Sequence, residues 1–176
     1  PLVTGAAPFV ARDRRVRSAI LRRLGLGALL LTLTLLFGCT GSERSVLAGH
    51  ARPMGASTHV ELLTDGVAAR AGGQWDTALT VRIPEGDGLE WDLGGKTTLL
   101  GAQLVADHDD RYALLLSDDG EHWSPWWEAP AASGPGQQVR TSEPLQGAAR
   151  FVRLEPHGGD GGYWISEVTL RTPETK

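Results

Sequence analysis

The sequence predicts an all-β fold, an antiparallel sandwich or barrel, over most of the chain from residue 59 onward. Three observations carry this. Apolar and polar residues alternate in short runs: Leu89, Trp91 and Leu93 with Glu90 and Asp92; Tyr112, Leu114 and Leu116 up to Ser117; Val152 and Leu154 with Arg153 and Glu155. Such period-two alternation puts one set of side chains on the buried face of a strand. Gly, Pro and Asp interrupt the runs at close intervals, and no sustained helical stripe of apolar residues follows residue 40. Many short strands with turn residues and no intervening helices belong to two-layer or closed antiparallel sheets.

Taken in order, strands are expected at 59–63, 79–83, 88–93, 98–106, 111–117, 122–128, 137–142, 149–155 and 163–171. Asp92-Leu93-Gly94 ends one of them, with Leu93 turned inward and Gly94 free to take a positive φ. Asp119-Gly120 supplies a tight hairpin turn between the 111–117 run and Trp123, and Trp123 is expected to pack back across that hairpin as core. Arg150 and Arg153 flank a core strand and are read as ion-pairing groups.

The first 58 residues read differently. Six of the 17 basic residues lie in the first 23 positions against one acid, Asp13, and an uncharged, mostly apolar run follows over 24–37. That run is shorter than the roughly 20 residues a transmembrane helix needs. A basic segment, a short apolar segment and the small residue Gly38 describe a secretory signal over 1–38. Leu36-Phe37-Gly38-Cys39 resembles the lipobox of bacterial lipoproteins, which implies acylation of Cys39, the single Cys, and a lipid that holds the mature protein on a membrane. By the same resemblance Thr40 implies the outer membrane of the cell envelope. Residues 39–58 mix small, polar and Pro residues and read as a flexible linker behind the lipid.

One Cys excludes an intrachain disulfide and a cysteine-built metal site. The formal net charge is -4, and the part from Cys39 onward, with 11 basic and 20 acidic residues, carries -9. An acidic body of this kind excludes a phosphate-tracking role, so no nucleic-acid partner is expected.

The motif order in the body is informative as a set. Leu63-Thr64-Asp65-Gly66, Trp75, Trp91-Asp92-Leu93-Gly94, Tyr112 leading to Ser117-Asp118-Asp119-Gly120-Glu121-His122-Trp123, Ala149-Arg150-Phe151-Val152-Arg153-Leu154 and Ile165-Ser166-Glu167-Val168 follow one another over 59–172. This order resembles the discoidin-like domains, also called coagulation factor V/VIII type C domains. The resemblance implies an antiparallel jelly-roll β-sandwich of the galactose-binding-like fold. It also implies a structural calcium between the early Asp-Gly loop and the late Glu-bearing strand, with Asp65 and Glu167 as the side-chain ligands. Here the loop departs from the family pattern, reading Val-Ala-Ala-Arg-Ala-Gly-Gly-Gln after Gly66, and Arg70 is an alternative source of positive charge.

Sugar-binding members of that family place an aromatic face beside polar groups in loops at one end of the sandwich. The candidates here are Trp126 and Trp127, adjacent so that a strand must turn one of them outward, and His157, Tyr163 and Trp164 around the Gly-rich run 157–162. Asp107-His108-Asp109-Asp110-Arg111 is read as a solvated hairpin loop, with a cation or a sugar hydroxyl as its alternative partners. No Gly-x-Ser-x-Gly elbow, His-Glu-x-x-His or phosphate loop is present, and the chain is read as non-enzymatic. The expected function is an envelope-anchored binding module for carbohydrate or surface polysaccharide; the alternative is a lipoprotein whose sandwich docks an envelope protein.

Overall fold

The computed structural model describes residues 45–47 and 51–173, and in them the alternating runs become strands. These are β1 Ala51–Met54, β2 Val81–Pro84, β3 Gly88–Leu99, β4 Gly101–Asp107, β5 Arg111–Ser117, β6 Ser124–Ala129, β7 Gln137–Thr141, β8 Gly147–His157 and β9 Gly162–Arg171. They pair antiparallel in two sheets, in the orders β1-β3-β8-β5-β6 and β2-β9-β4-β7. The inward residues meet in one core. Leu89, Trp91, Tyr112, Leu114, Val152 and Leu154 of the first sheet pack with Val81, Ile83, Leu104, Tyr163, Ile165, Val168 and Leu170 of the second.

The β5–β6 hairpin turns where its residues demand. The Ser117 hydroxyl accepts the Gly120 N–H at 2.8 Å, and Asp119 Oδ1 accepts the N–H groups of Glu121 and His122, each at 2.8 Å. Gly94, after Asp92-Leu93, has φ +77 as its place in the sequence requires. On the outer face of the first sheet Arg150 meets Asp92 through two bonds of 2.9 and 2.7 Å, and Arg153 meets its cross-strand neighbour Glu90 at 2.5 Å. The Arg150–Asp92 pair lies at the surface and the Arg153–Glu90 pair is half-buried; both set side-chain order more than stability.

Four expectations are corrected. Residues 59–63 do not form a strand: Val60–Thr64 is a 3₁₀ turn entered through His59 at φ 60, and its buried residues, Leu63 and Thr64, are adjacent rather than alternating. The expected strand 98–106 is two, divided at Leu100, because β3 runs on to Leu99 and Gly101 opens β4 with φ +146. Trp123 is not core; it is half-buried on the outer face, with the Arg153 guanidinium 4.0 Å above its ring. The stretch 39–58 is not all linker. Its β1 pairs with β3 from Ala51–Trp91 to Met54–Gly88, Leu47 lies fully in the core, and the Ser45 hydroxyl donates to the Val168 carbonyl at 3.2 Å. Four residues are too few to display an alternation, which is why this edge strand carries no sequence signal. Cys39 and the leader 1–38 lie outside the described residues.

Two outcomes follow from these contacts. Leu47→Ala lowers stability in urea unfolding by about 2–5 kcal/mol, as for a buried leucine, where a linker residue would change nothing. The Asp92 carboxyl, held down to about 2 by the Arg150 bond first and the Gly94 N–H second, titrates near pH 2 by carbon-detected NMR. A depressed carboxyl adds stability above its unfolded value of roughly 3.9 that disappears as the pH falls through the folded value, and Arg150→Ala returns the titration towards the ordinary range.

Candidate functional site

The second sheet ends in a knot of buried polar groups. Asp107, the last residue of β4, accepts the Trp164 N–H on Oδ2 at 3.1 Å and the Tyr112 hydroxyl on Oδ1. Desolvation raises the Asp107 carboxyl above its usual range, opposed by the Tyr112 bond, and burial followed by the Asp107 charge raises the Tyr112 hydroxyl. Arg140, on β7, holds the turn after Asp107 from beneath. Its guanidinium donates to the carbonyls of Pro130 at 2.8 Å, Ala106 at 3.1 Å, Asp110 at 3.4 Å and Asp107, and lies 5.3 Å from the Tyr112 ring centroid.

Gln137, at the start of β7, fixes the aromatic wall above this knot. Its side-chain amide donates to the carbonyls of Trp75 at 3.2 Å and Trp164 at 3.0 Å, while its backbone exchanges bonds with Gly72 and Gly73. One buried amide thereby ties the loop carrying Trp75 to the strand carrying Trp164. The two rings stand with centroids 5.3 Å apart at 55°, and Trp75 is 45% exposed. Between them and the acidic turn lies a cleft of about 420 Å³, lined by Trp75, Trp164, Arg82, Asp107, His108, Asp109 and Asp160 with Gly161 and Gly162. That volume falls within the roughly 300–1,000 Å³ of small-ligand sites. Trp164 and Arg82 also border a neighbouring depression that includes His59, Leu62 and Thr80.

A second polar site lies further along β9. Between Val105 and Ala106 the β4–β9 register shifts, so Ser166 is an extra residue and the buried run Ile165-Ser166-Glu167-Val168 loses its alternation. The Ser166 hydroxyl accepts the Ala69 N–H at 2.6 Å, drawing the 65–69 loop over Glu167. Glu167 is buried, its Oε2 has no hydrogen-bond partner, and its carboxyl is pushed up to about 7 by desolvation first and the neighbouring Asp65 charge second. Asp65 is exposed and accepts the Val67 N–H at 2.8 Å. The Arg70 side chain is exposed.

Of the ligand residues expected from sequence, Trp164 lines the cleft. Tyr163 does not: it is 3% exposed, packs edge-on to Tyr112 at 6.4 Å and donates its hydroxyl to the Gly158 carbonyl, because alternation along β9 sends it to the core when Trp164 points out. His157 stands at the end of β8 paired to Glu128 at 2.8 Å, outside the residues that line the cleft. Trp126 and Trp127 lie on the edge strand β6, both half-buried against the core. A register shift leaves Trp126 without a cross-strand partner, which relaxes the rule that one of two adjacent residues must face out. Sequence reasoning passed over Trp75 and Gln137 as site residues and preferred a solvated loop for 107–111, where Asp107 and Asp110 are in fact buried.

No protein-family model and no curated protein matches the chain. Solved structures do. CpGH89CBM32-5 from Clostridium perfringens, in complex with GalNAc-β-1,3-galactose, matches with TM-score 0.51 and 17% identity over 72% of this chain and 98% of its own. The fold is the discoidin-like, galactose-binding-like sandwich. SpGH29 matches with TM-score 0.51 and 16% identity over 74% of this chain, which spans 28% of that protein. A variant of chitosan-binding module 1, from a chitosanase/glucanase of Paenibacillus sp. IK-5, matches with TM-score 0.50 and 17% identity over 72% of this chain and 97% of its own. At these identities the likeness is one of fold.

Within this discoidin-like sandwich, Gln137→Ala leaves two carbonyls in the wall unpaired. It costs about 1–3 kcal/mol in chemical unfolding. Acrylamide quenching of the tryptophan fluorescence increases as the Trp75 loop loosens.

Proposed function

We propose that this chain is a non-catalytic carbohydrate-binding module, held at a bacterial cell envelope by a lipid on Cys39. The observation that carries the binding role is the tilted Trp75/Trp164 pair facing Asp109 and Asp160 across one cleft. A sugar has an apolar face that stacks on an indole and a rim of hydroxyls that need acceptors and donors, and the carboxylates and Arg82 offer both. The matching module from Clostridium perfringens was solved with a disaccharide, and the matching Paenibacillus module is described as chitosan-binding, which supports the same use here. The ligand reading moves from Trp126, Trp127, Tyr163 and His157 to Trp75 and Trp164.

A structural calcium at Asp65 and Glu167 belongs to this reading. The donor set fits: a buried Glu167 oxygen without a partner, the Asp65 carboxylate beside it, and a loop whose carbonyls can complete an all-oxygen shell. There the ion would pin the 65–69 loop to β9, with no part in chemistry. The anchor rests on the lipobox-like Leu36-Phe37-Gly38-Cys39, and Thr40 favours the outer membrane. Fatty-acid labelling of the wild type and its absence in Cys39→Ala is the expected result; an unlabelled wild type removes the anchor.

Calorimetry against galactose-, N-acetylgalactosamine- and glucosamine-containing oligosaccharides tests the binding role. Trp164→Ala weakens binding at least about tenfold, equivalent to about 1.4 kcal/mol, while Trp127→Ala changes it by less than about twofold. Equal loss in both variants, or no glycan bound by the wild type, defeats the proposal.

A further inference from the structure

We propose that Asp107, Asp109 and Asp110 form a divalent-cation site of the calcium class at the floor of the aromatic cleft. One carboxylate oxygen from each of the three lies within 4.8 Å of the others. Oxygens bound to a single calcium at about 2.4 Å can stand at most about 4.8 Å apart, so the spread suits one ion. The three arise from one short turn, between β4 and β5, and differ in depth: Asp107 and Asp110 are buried, Asp109 is exposed at the mouth. An ion there would be held from below and reached from the cleft.

Asp110 supplies the independent indication. Its side chain is fully buried, no N–H or O–H donor reaches either carboxylate oxygen, and the polar side chain within hydrogen-bonding reach is another acid, the Asp107 carboxyl, so only a shared proton or a cation reconciles the two. A buried carboxylate without donors is costly, and native proteins resolve it with a proton, a cation or water. Gly159 packs so closely that a Cβ there would fall 1.7 Å from Asp110 Oδ1, so backbone seals the carboxyl from one side and gives it no donor. Arg140, the nearby guanidinium, is committed to four carbonyls. Asp107, Asp109 and Asp160 bring three negative charges to bear on Asp110, opposed through space by the Arg140 guanidinium, which donates no hydrogen bond to its carboxyl. Asp107 accepts one donor on each oxygen and retains lone pairs for an ion.

This site is separate from Asp65/Glu167. Its three carboxylates come from the end of β4 and the turn into β5, whereas Glu167 lies on β9 with the Asp65 charge acting on it. It also stands without the carbohydrate reading, since the ion alone is the ligand tested.

The test uses Tb³⁺ as the calcium probe on the full chain, in the absence of sugar, with Trp75 and Trp164 in the same cleft to sensitise its emission. Saturable emission, displaced by Ca²⁺, is expected in the wild type and in Glu167→Gln. Asp110→Asn weakens the affinity at least about tenfold, and Asp109→Asn, whose exposed side chain leaves folding intact, weakens it as well. If Asp110→Asn does not fold, Asp109→Asn decides. Absent emission, emission indifferent to both aspartate variants, or emission lost only in Glu167→Gln overturns the proposal.

Discussion

The structure turns on the buried Asp107 carboxylate. It ends a core strand, takes the Tyr112 hydroxyl from the opposite sheet and takes the Trp164 amide from its neighbour. Three strands in two layers thus meet at one group. A carboxylate can occupy such a place only when its oxygens are bonded and charge lies near, which the two donors and the Arg140 guanidinium provide. The arrangement is directional, so it fixes where β9 begins and therefore which face Trp164 presents. Hydrophobic burial holds the two sheets together, but it would tolerate a shifted strand end; the polar knot would not.

Two irregularities adapt the strands to what they carry. Along β9, Tyr163 and Ile165 face the core, and after the extra residue Ser166 the inward positions become Val168 and Leu170. Without that bulge Glu167 would fall on the core face. With it, Glu167 points outward and is buried instead by the 65–69 loop, which the Ser166 hydroxyl itself holds in place. On β6 the irregularity lies opposite Leu114 and Leu115 and lets Trp126 and Trp127 both lean on the core. Each bulge changes the phase of alternation by one residue, which is the largest effect a single residue can have on a strand.

This phase dependence explains what the sequence made legible. Runs such as Leu89–Leu93 and Tyr112–Ser117 keep period two without interruption, and their strands stand where alternation put them. The discoidin-like motif order anticipated the sandwich, and it anticipated the approach of Asp65 to Glu167. The cleft was less legible because its members are joined by tertiary contacts. Gln137 looks like any polar residue beside Gln138, and only the fold shows that its amide bridges carbonyls 62 and 27 residues away. Asp107 and Asp110 look like hairpin acids, and their burial depends on Arg140 30 or more residues on. Trp126 and Trp127 drew notice by adjacency, a local signal, whereas Trp75 and Trp164 are neighbours only in space.

The balance of hydrogen-bonding groups around the cleft limits what can enter it. Asp107, Asp109 and Asp160 are acceptors, against one fixed cation, Arg82. A ligand rich in donors, such as a polyol or an amino sugar, satisfies such a rim directly, since each hydroxyl proton finds a carboxylate and the ring face finds an indole. An anionic sugar brings like charge to an acidic wall in a body already carrying -9 from Cys39 onward, and that repulsion falls on the very groups that would have to bind it. A divalent ion on the turn reverses this order of preference, because it neutralises two carboxylates and offers a ligand oxygen a place in its own shell. A cation on the proposed site and a ligand in the cleft would therefore be coupled by charge, through the same turn that Arg140 holds against the core.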